Sequence, residues 1–428
     1  MLIYQFGKHF AALCLRLIYR KIYYIDKDKL PPKKGATIFA VNHPTAFTDS
    51  FIFMVFSAYN CYFILRGDYF KVSPVIRWLM DQIRLIPIFR ARDGFSAVKQ
   101  NQDLFEDFYK IMHEGKDISI MVEGSHDHRK RLRKVQRGTA RIVFGTYDKY
   151  GDTDMTIVPI GLTYSNVSKF RSTAAVKIGD PIDVADYIKL HKENARKALL
   201  KLTKDIQDGM QPLMVDVKKE EDVWLADQLL DMNRHDQRVS LFPPLSKNPK
   251  PLQEEIELVN ELNELSELEK SALFDAIEVY QTRLEELNVT DLGVAKSKQI
   301  GFMYWLTVIL GAPIFLAGAI LGFLPYLIGK RVMKGVKKPE FIASMMLVGS
   351  MAGILIYAIL LIIAGAIIGK AWFWLIVLAF PLLSYLALLY RDVFLDWRAV
   401  QHFRSLDAKT KNYLKTDRQS LLQDWRGF

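Results

Sequence analysis

Residues 302–328, 341–369 and 371–390 carry no charged side chain. A hydrocarbon core of about 30 Å needs roughly 20 apolar residues to cross it as a helix, and each run has that length. Three such runs in succession argue against buried helices of a water-soluble core. The first run leaves two arrangements open. Gly311, Ala312 and Pro313 stand near its middle, where proline can break a helix. It is either a full crossing or a re-entrant hairpin, with Trp305 and Tyr326 at one interface. Lys330, Arg331, Lys334, Lys337 and Lys338 follow it. Basic residues next to membrane ends favour the cytoplasm, and the hairpin would keep every basic segment on that side.

The formal net charge of +11 is unevenly placed. Residues 1–34 hold eight Lys/Arg against two Asp, and residues 128–141 hold seven Lys/Arg with no acid. Residues 251–292 are acidic, with twelve Asp/Glu and two Lys/Arg. Two tight basic clusters without base-reading residues between them do not make a nucleic-acid surface. Anionic membrane lipids and an anionic substrate are the partners expected instead. Cys14 and Cys61 are the only cysteines, too few for a disulfide framework or a Cys-rich zinc site. His43, His126 and His128 lack compact ligand spacing, so no metal is expected.

The rest of the chain reads as an α/β protein, a layered sheet flanked by helices. Residues 1–28 form an amphipathic membrane-surface helix, its helical pattern running over 3–24 with Lys8, Arg16, Arg20 and Lys21 interleaved. Residues 29–215 form the α/β domain. Its strands are 36–41, 117–122 and 155–162, with an edge strand at 174–178; its helices are 49–58, 95–114 and 137–147. Residues 216–300 are an acidic helical linker containing one long helix, 252–287. The membrane region is 301–392, and 393–428 is a basic cytoplasmic tail.

Chemistry-bearing residues collect at the ends of the strands, where α/β proteins bind ligands. The first strand runs into Asn42-His43-Pro44-Thr45-Ala46-Phe47-Thr48-Asp49. A carboxylate accepting Nδ1–H from His43 would leave Nε2 free as a base. The apolar run 85–89 ends on Arg90 and Arg92. The second strand runs into Glu123-Gly124-Ser125-His126-Asp127, followed by the basic cluster with Arg137. Ser125 is not in a G-x-S-x-G elbow, so a serine nucleophile is not indicated.

These blocks together resemble the membrane glycerophosphate acyltransferases, which include lysophosphatidate and glycerol-3-phosphate acyltransferases. Asn42-His43-Pro44 with Asp49 resembles the family's His/Asp block. Ile86–Arg90 resembles the block that ends in a phosphate-binding arginine. Val122-Glu123-Gly124 resembles the Glu-Gly block, and Val158-Pro159-Ile160 the short apolar fourth block. Five residues separate His43 from Asp49, as in the branch acting on glycerol-3-phosphate or dihydroxyacetone phosphate, where Thr45 here replaces the usual Asn. The usual arginine shortly after Glu-Gly is absent, with His126 near its place.

The resemblance implies that His43 and Asp49 are catalytic and that Arg90, Glu123, Gly124 and Arg137 bind substrate, with Asn42, Arg92, Ser125 and His126 as further candidates. It implies O-acyl transfer from acyl-CoA or acyl-carrier protein to a glycerol-phosphate acceptor, on the cytoplasmic side, with no cofactor beyond the co-substrate. Glu123 would position the acceptor or the loop, and backbone N–H groups near Gly124 would meet the oxyanion. A lipid amine or hydroxyl without phosphate is the alternative acceptor. A catalytically idle membrane protein that binds partners through its acidic helix is the alternative from another class.

Overall fold

Every residue of Lys21–Ile25 and of Ala36–Val41 is buried, as strands covered on both faces must be. They lie in the first of two units of the computed structural model, which describes residues 2–88, 105–151, 153–237 and 240–426. This unit comprises Met1–Asp216, Pro244–Gln253 and Val336–Leu347. In chain order it holds α1 (Leu2–Ile18), β1 (Lys21–Ile25), β2 (Ala36–Val41), α2 (Thr48–Ile52), β3 (Tyr62–Arg66), α3 (Pro74–Gln82) and β4 (Leu85–Ile88). There follow α4 (105–113), β5 (Ile118–Met121), α5 (Gly138–Tyr150), β6 (Met155–Tyr164), β7 (Thr173–Ile178), β8 (Ile182–Asp183), α6 (Ala185–Glu193), α7 (Ala195–Met210) and the short β9 (Leu245–Ser246).

The strands form one sheet in the order β4-β3-β5-β2-β6-β7-β1-β9, with β8 on β6. β6 is antiparallel to β7 and β8; the other pairings are parallel. β2 is therefore central, flanked by β5 and β6, and its carboxyl end carries Asn42 and His43. One face of the sheet packs Ile38, Ala40, Ile118, Ile120 and Ile157 against Ile142 and Val143 of α5 and Leu202 and Ile206 of α7. On β2, Phe39 packs against Phe53 and Tyr59, with ring centroids 5.0 and 4.9 Å away.

The second unit comprises Val217–Pro243, Glu254–Gly335 and Val348–Phe428. Its elements are α8 (Val223–Asp236), most of α9 (Lys250–Glu264), α10 (Glu267–Glu286), α11 (Asp291–Lys296), α12 (Phe302–Met333), the greater part of α13 (Pro339–Ile368), α14 (Ala371–Arg404) and α15 (Ala408–Arg426). Asp291 ties four of these helices together. It accepts from Tyr280 Oη at 2.8 Å and Arg418 Nε at 2.6 Å, and its other oxygen lies 2.8 Å from His235 Nδ1. Burial would raise this carboxyl, but the hydrogen bonds and charge of His235 and Arg418 hold it below the ordinary carboxylate range.

α12, α13 and α14 are each long and apolar enough to cross a membrane. α12 and α14 pack through small residues. A Cβ on Gly318 would stand 2.1 Å from the carbonyl oxygen of Leu383, so only glycine allows this approach, a common device between helices in lipid.

Several expectations from sequence are corrected here. The helix expected over 3–24 stops at Ile18, and Lys21–Ile25 is a strand, because Ile22, Tyr23, Tyr24 and Ile25 are buried in the sheet. β7 is not an edge strand, since β1 pairs along its far side. The helix expected over 49–58 ends at Ile52, with a short 3₁₀ turn at Met54–Phe56. The single helix expected over 252–287 is two, α9 and α10. Ser266 accepts from the Glu269 N–H while Glu269 accepts from the Ser266 N–H, a reciprocal cap that starts a new helix. The first apolar run is not a hairpin: α12 continues past Gly311 and Pro313 without a break. The last run extends as helix to Arg404, beyond the expected membrane boundary.

Candidate active site

Asn42 follows directly on the β2 ladder and pins its end to β6. Its Nδ2 donates to the Leu162 carbonyl at 2.9 Å, and its Oδ1 accepts the Leu162 N–H at 2.7 Å. The carboxamide thus replaces a peptide group where the strands diverge, and Asn42 is structural support rather than a reacting group. The next residue, His43, is brought to the strand end with 14% of its side chain exposed.

Asp49 lies in the first turn of α2 and is fully buried. One oxygen lies 2.9 Å from His43 Nδ1 and accepts the Thr45 N–H at 2.7 Å. The other accepts from Thr45 Oγ1 at 2.6 Å and from Tyr164 Oη at 2.9 Å. A buried carboxylate is stable only when its lone pairs are filled in this way. Burial first, and the Asp49 charge second, push the Tyr164 hydroxyl well above its ordinary value, so it serves as a donor. With Asp49 accepting at Nδ1, the ring of His43 presents Nε2 outward. Among the described residues no side chain takes Nε2 in a hydrogen bond.

Glu123 holds the backbone on both sides of the site. Its Oε2 accepts the His43 N–H at 3.0 Å and Arg133 Nη2 at 3.0 Å, and its Oε1 accepts the Arg133 N–H at 2.9 Å. It is buried and committed to the loops. Glu123→Gln puts a donor where an acceptor is needed, facing either His43 N–H or Arg133. It is expected to cost about 1–3 kcal/mol, read as a lower thermal midpoint together with lower turnover.

Gly124 has φ of 73°, a conformation that favours glycine. Its N–H donates to the Met121 carbonyl at 3.1 Å, so it is taken up by the turn and does not serve as an oxyanion donor. Ser125 Oγ accepts from Arg133 Nη1 at 2.6 Å. The His126 ring stands edge-on to His43, with centroids 5.6 Å apart. Burial, and then the neighbouring His43, lower the pKa of His126. His126 is therefore a neutral neighbour of His43 near neutral pH.

Three cations of the basic segment after Gly124 have partners outside it. Arg129 Nε lies 2.9 Å from Asp127 Oδ1, Arg133 holds Glu123, and Lys130 Nζ donates to the Ser165 carbonyl at 3.2 Å. Beside it is a cleft lined by Pro44, Asp127, Arg131, Tyr164 and Val215, among others. Arg137 is exposed at the start of α5 and does not line this cleft. Arg90 and Arg92 lie outside the described residues. Sequence reading missed Tyr164 and weighed Thr45 only as a departure from a pattern.

Residues 21–163 match the acyltransferase family model. Glycerol-3-phosphate O-acyltransferase 1 of Saccharomyces cerevisiae is 37% identical over 101 residues, 23% of this chain and 13% of that protein. Glycerol-3-phosphate O-acyltransferase 2 of the same yeast is 29% identical over 111 residues, 26% of this chain and 15% of that protein. The matches thus span less than a sixth of each relative. The crystal structure of the 1-acyl-sn-glycerophosphate acyltransferase of Thermotoga maritima is similar at 14% identity and a TM-score of 0.34, over 47% of this chain and 78% of that one.

Proposed function

We propose that this chain, whose residues 21–163 form a domain of the acyltransferase family, moves a fatty acyl group from a thioester to a hydroxyl of a glycerol-phosphate acceptor. The observation that carries the reading is the His43–Asp49 pair at 2.9 Å, with Asp49 buried and its oxygens filled by Thr45, Tyr164 and His43. Such a carboxylate fixes the ring and stabilises the imidazolium that forms when Nε2 takes a proton.

The steps balance without a covalent acyl-enzyme. The acceptor oxygen attacks the thioester carbonyl carbon as His43 Nε2 removes its proton. The tetrahedral intermediate collapses, the C–S bond breaks, and the leaving thiolate takes the proton from His43. The donor is acyl-CoA or acyl-carrier protein, and its anionic carrier meets the exposed cations of the 128–141 segment. Arg90 and Arg92 hold the acceptor phosphate. The exposed Leu2, Ile3, Phe6 and Leu13 of α1 rest on the cytoplasmic membrane surface among anionic lipids.

The pairing of Arg129 with Asp127 and of Arg133 with Glu123 favours a second reading, in which the acceptor lacks a phosphate. One assay separates the two. Membranes containing the full chain receive glycerol-3-phosphate, 1-acylglycerol-3-phosphate or a phosphate-free lipid alcohol or amine, each with acyl-CoA or acyl-carrier protein, and the products are identified by mass. The expected result is a phosphate-bearing lipid gaining one acyl chain. Acylation of only phosphate-free acceptors would establish the second reading, and no acylation at all would overturn both.

A further inference from the structure

The first residues of α13 belong to the unit that carries His43 and Asp49, although this helix is long and apolar enough to cross a membrane. They bind three successive backbone N–H groups of the segment between those two residues. Ala46 N–H donates to the Glu340 carbonyl at 3.0 Å. Phe47 and Thr48 N–H groups both donate to Ser344 Oγ, at 2.7 and 3.1 Å, and Thr48 Oγ1 shares a hydrogen bond with it at 3.2 Å. Ser344 is completely buried. The Phe341 ring packs edge-on against His126 and Phe47, with centroids 4.9 and 6.1 Å away.

The first amides of a helix have no partner within it. A Ser, Thr, Asp or Asn just before the helix ordinarily accepts them. Here that position is Phe47, which has no accepting side chain. The acceptor comes instead from 297 residues along the chain. Two N–H groups converging on one buried hydroxyl fix the direction in which α2 starts. That direction sets Asp49, and Asp49 sets the ring of His43.

We propose that Ser344 is a positioning residue for the His43–Asp49 pair, so that the site is completed by the start of α13. The proposal rests on the acyltransferase reading for its kinetic consequence, but not for its structural one. Without the hydroxyl, α2 loses its fixed start and His43 loses the alignment that proton transfer needs. Misplacement on the order of 1 Å is enough to cost roughly 100-fold in rate.

The test uses the full chain in membranes with Ser344→Ala, Ser344→Thr and, as a control on the same helix, Ser350→Ala. Two readouts are taken: steady-state kinetics, and hydrogen exchange of a peptide containing Phe47 and Thr48. Ser344→Ala is expected to lower kcat about 10- to 100-fold with KM for donor and acceptor within about twofold, and to speed exchange at these amides. Ser344→Thr keeps the hydroxyl and recovers most of both; Ser350→Ala leaves both unchanged. Wild-type kcat in Ser344→Ala, a raised KM with kcat unchanged, or a Ser344→Thr protein as impaired as Ser344→Ala would each overturn the proposal. A wild-type chain inactive on every acceptor would sink the acyltransferase reading instead. Exchange would still decide the role of Ser344, since unaltered exchange in Ser344→Ala overturns it.

Discussion

His43→Ala lowers kcat by on the order of 10²–10⁴, the contribution of a well-placed general base, while KM for the acceptor stays near its wild-type value. The split follows from what His43 touches. Its backbone N–H donates to Glu123 and its carbonyl accepts from Asp127 N–H at 3.0 Å, and alanine keeps both. The loops around the site therefore survive, and what is lost is the ring: Nε2, and the Nδ1 hydrogen bond to Asp49. An interaction made in the transition state and not in the ground state lowers kcat and kcat/KM together. Steady-state rates over a range of acceptor concentrations, with a thermal melt alongside, check this. Wild-type turnover in a folded His43→Ala protein would remove His43 from the chemistry.

The centre of the sheet was legible because its residues are unambiguous. Runs such as ATIFAV and TIVPIGL are short, apolar and rich in β-branched side chains, as strands buried on both faces must be. The edges were less so. Ile22, Tyr23, Tyr24 and Ile25 directly follow a helix of similar composition, and the helical spacing carries through them by chance. Missing that strand left β7 with an apparently free side. The break between α9 and α10 could have been found, since Ser266 and Glu269 have the spacing of a reciprocal cap. An acidic, leucine-rich stretch on both sides hid it.

The candidate site divides in the same way. His43 and Asp49 lie six positions apart in the chain, so a local motif brings them together and the sequence displays it. Tyr164 reaches that pair, and Ser344 the start of α2, only through the fold. Tyr164 closes β6, the neighbour of β2 in the sheet, and one hydroxyl at the end of an apolar strand leaves no pattern. Ser344 sits inside an uncharged run whose evident reading is membrane helix. Thr45 was visible but stood as a departure from the Asn of a related branch. Its side chain and its N–H both go to Asp49, so it belongs to the carboxylate's support. In the Glu-Gly block, Glu123 braces the His43 and Arg133 backbones and the Gly124 N–H goes to Met121, contacts that the short motif does not display.

Asp49→Asn separates the charge of this residue from its hydrogen bonds. The amide has one orientation that fits. Its oxygen takes the side facing the Thr45 N–H and His43 Nδ1–H, and its NH₂ donates to Thr45 Oγ1 and Tyr164 Oη, hydroxyls able to accept. The O–H protons of Thr45 and Tyr164 lose this acceptor, so the fold is expected to weaken by about 1–3 kcal/mol, while the ring keeps its tautomer. What disappears is the negative charge that stabilises the imidazolium after proton transfer. Turnover is expected to fall roughly 10²–10⁴-fold in protein that is still folded, with a thermal midpoint lowered only as far as that loss requires. Residues that act as one unit are not additive, so His43→Ala/Asp49→Asn should be no slower than His43→Ala alone. If the two losses multiply instead, His43 and Asp49 act independently, and the buried carboxylate is a structural brace rather than the partner of a base.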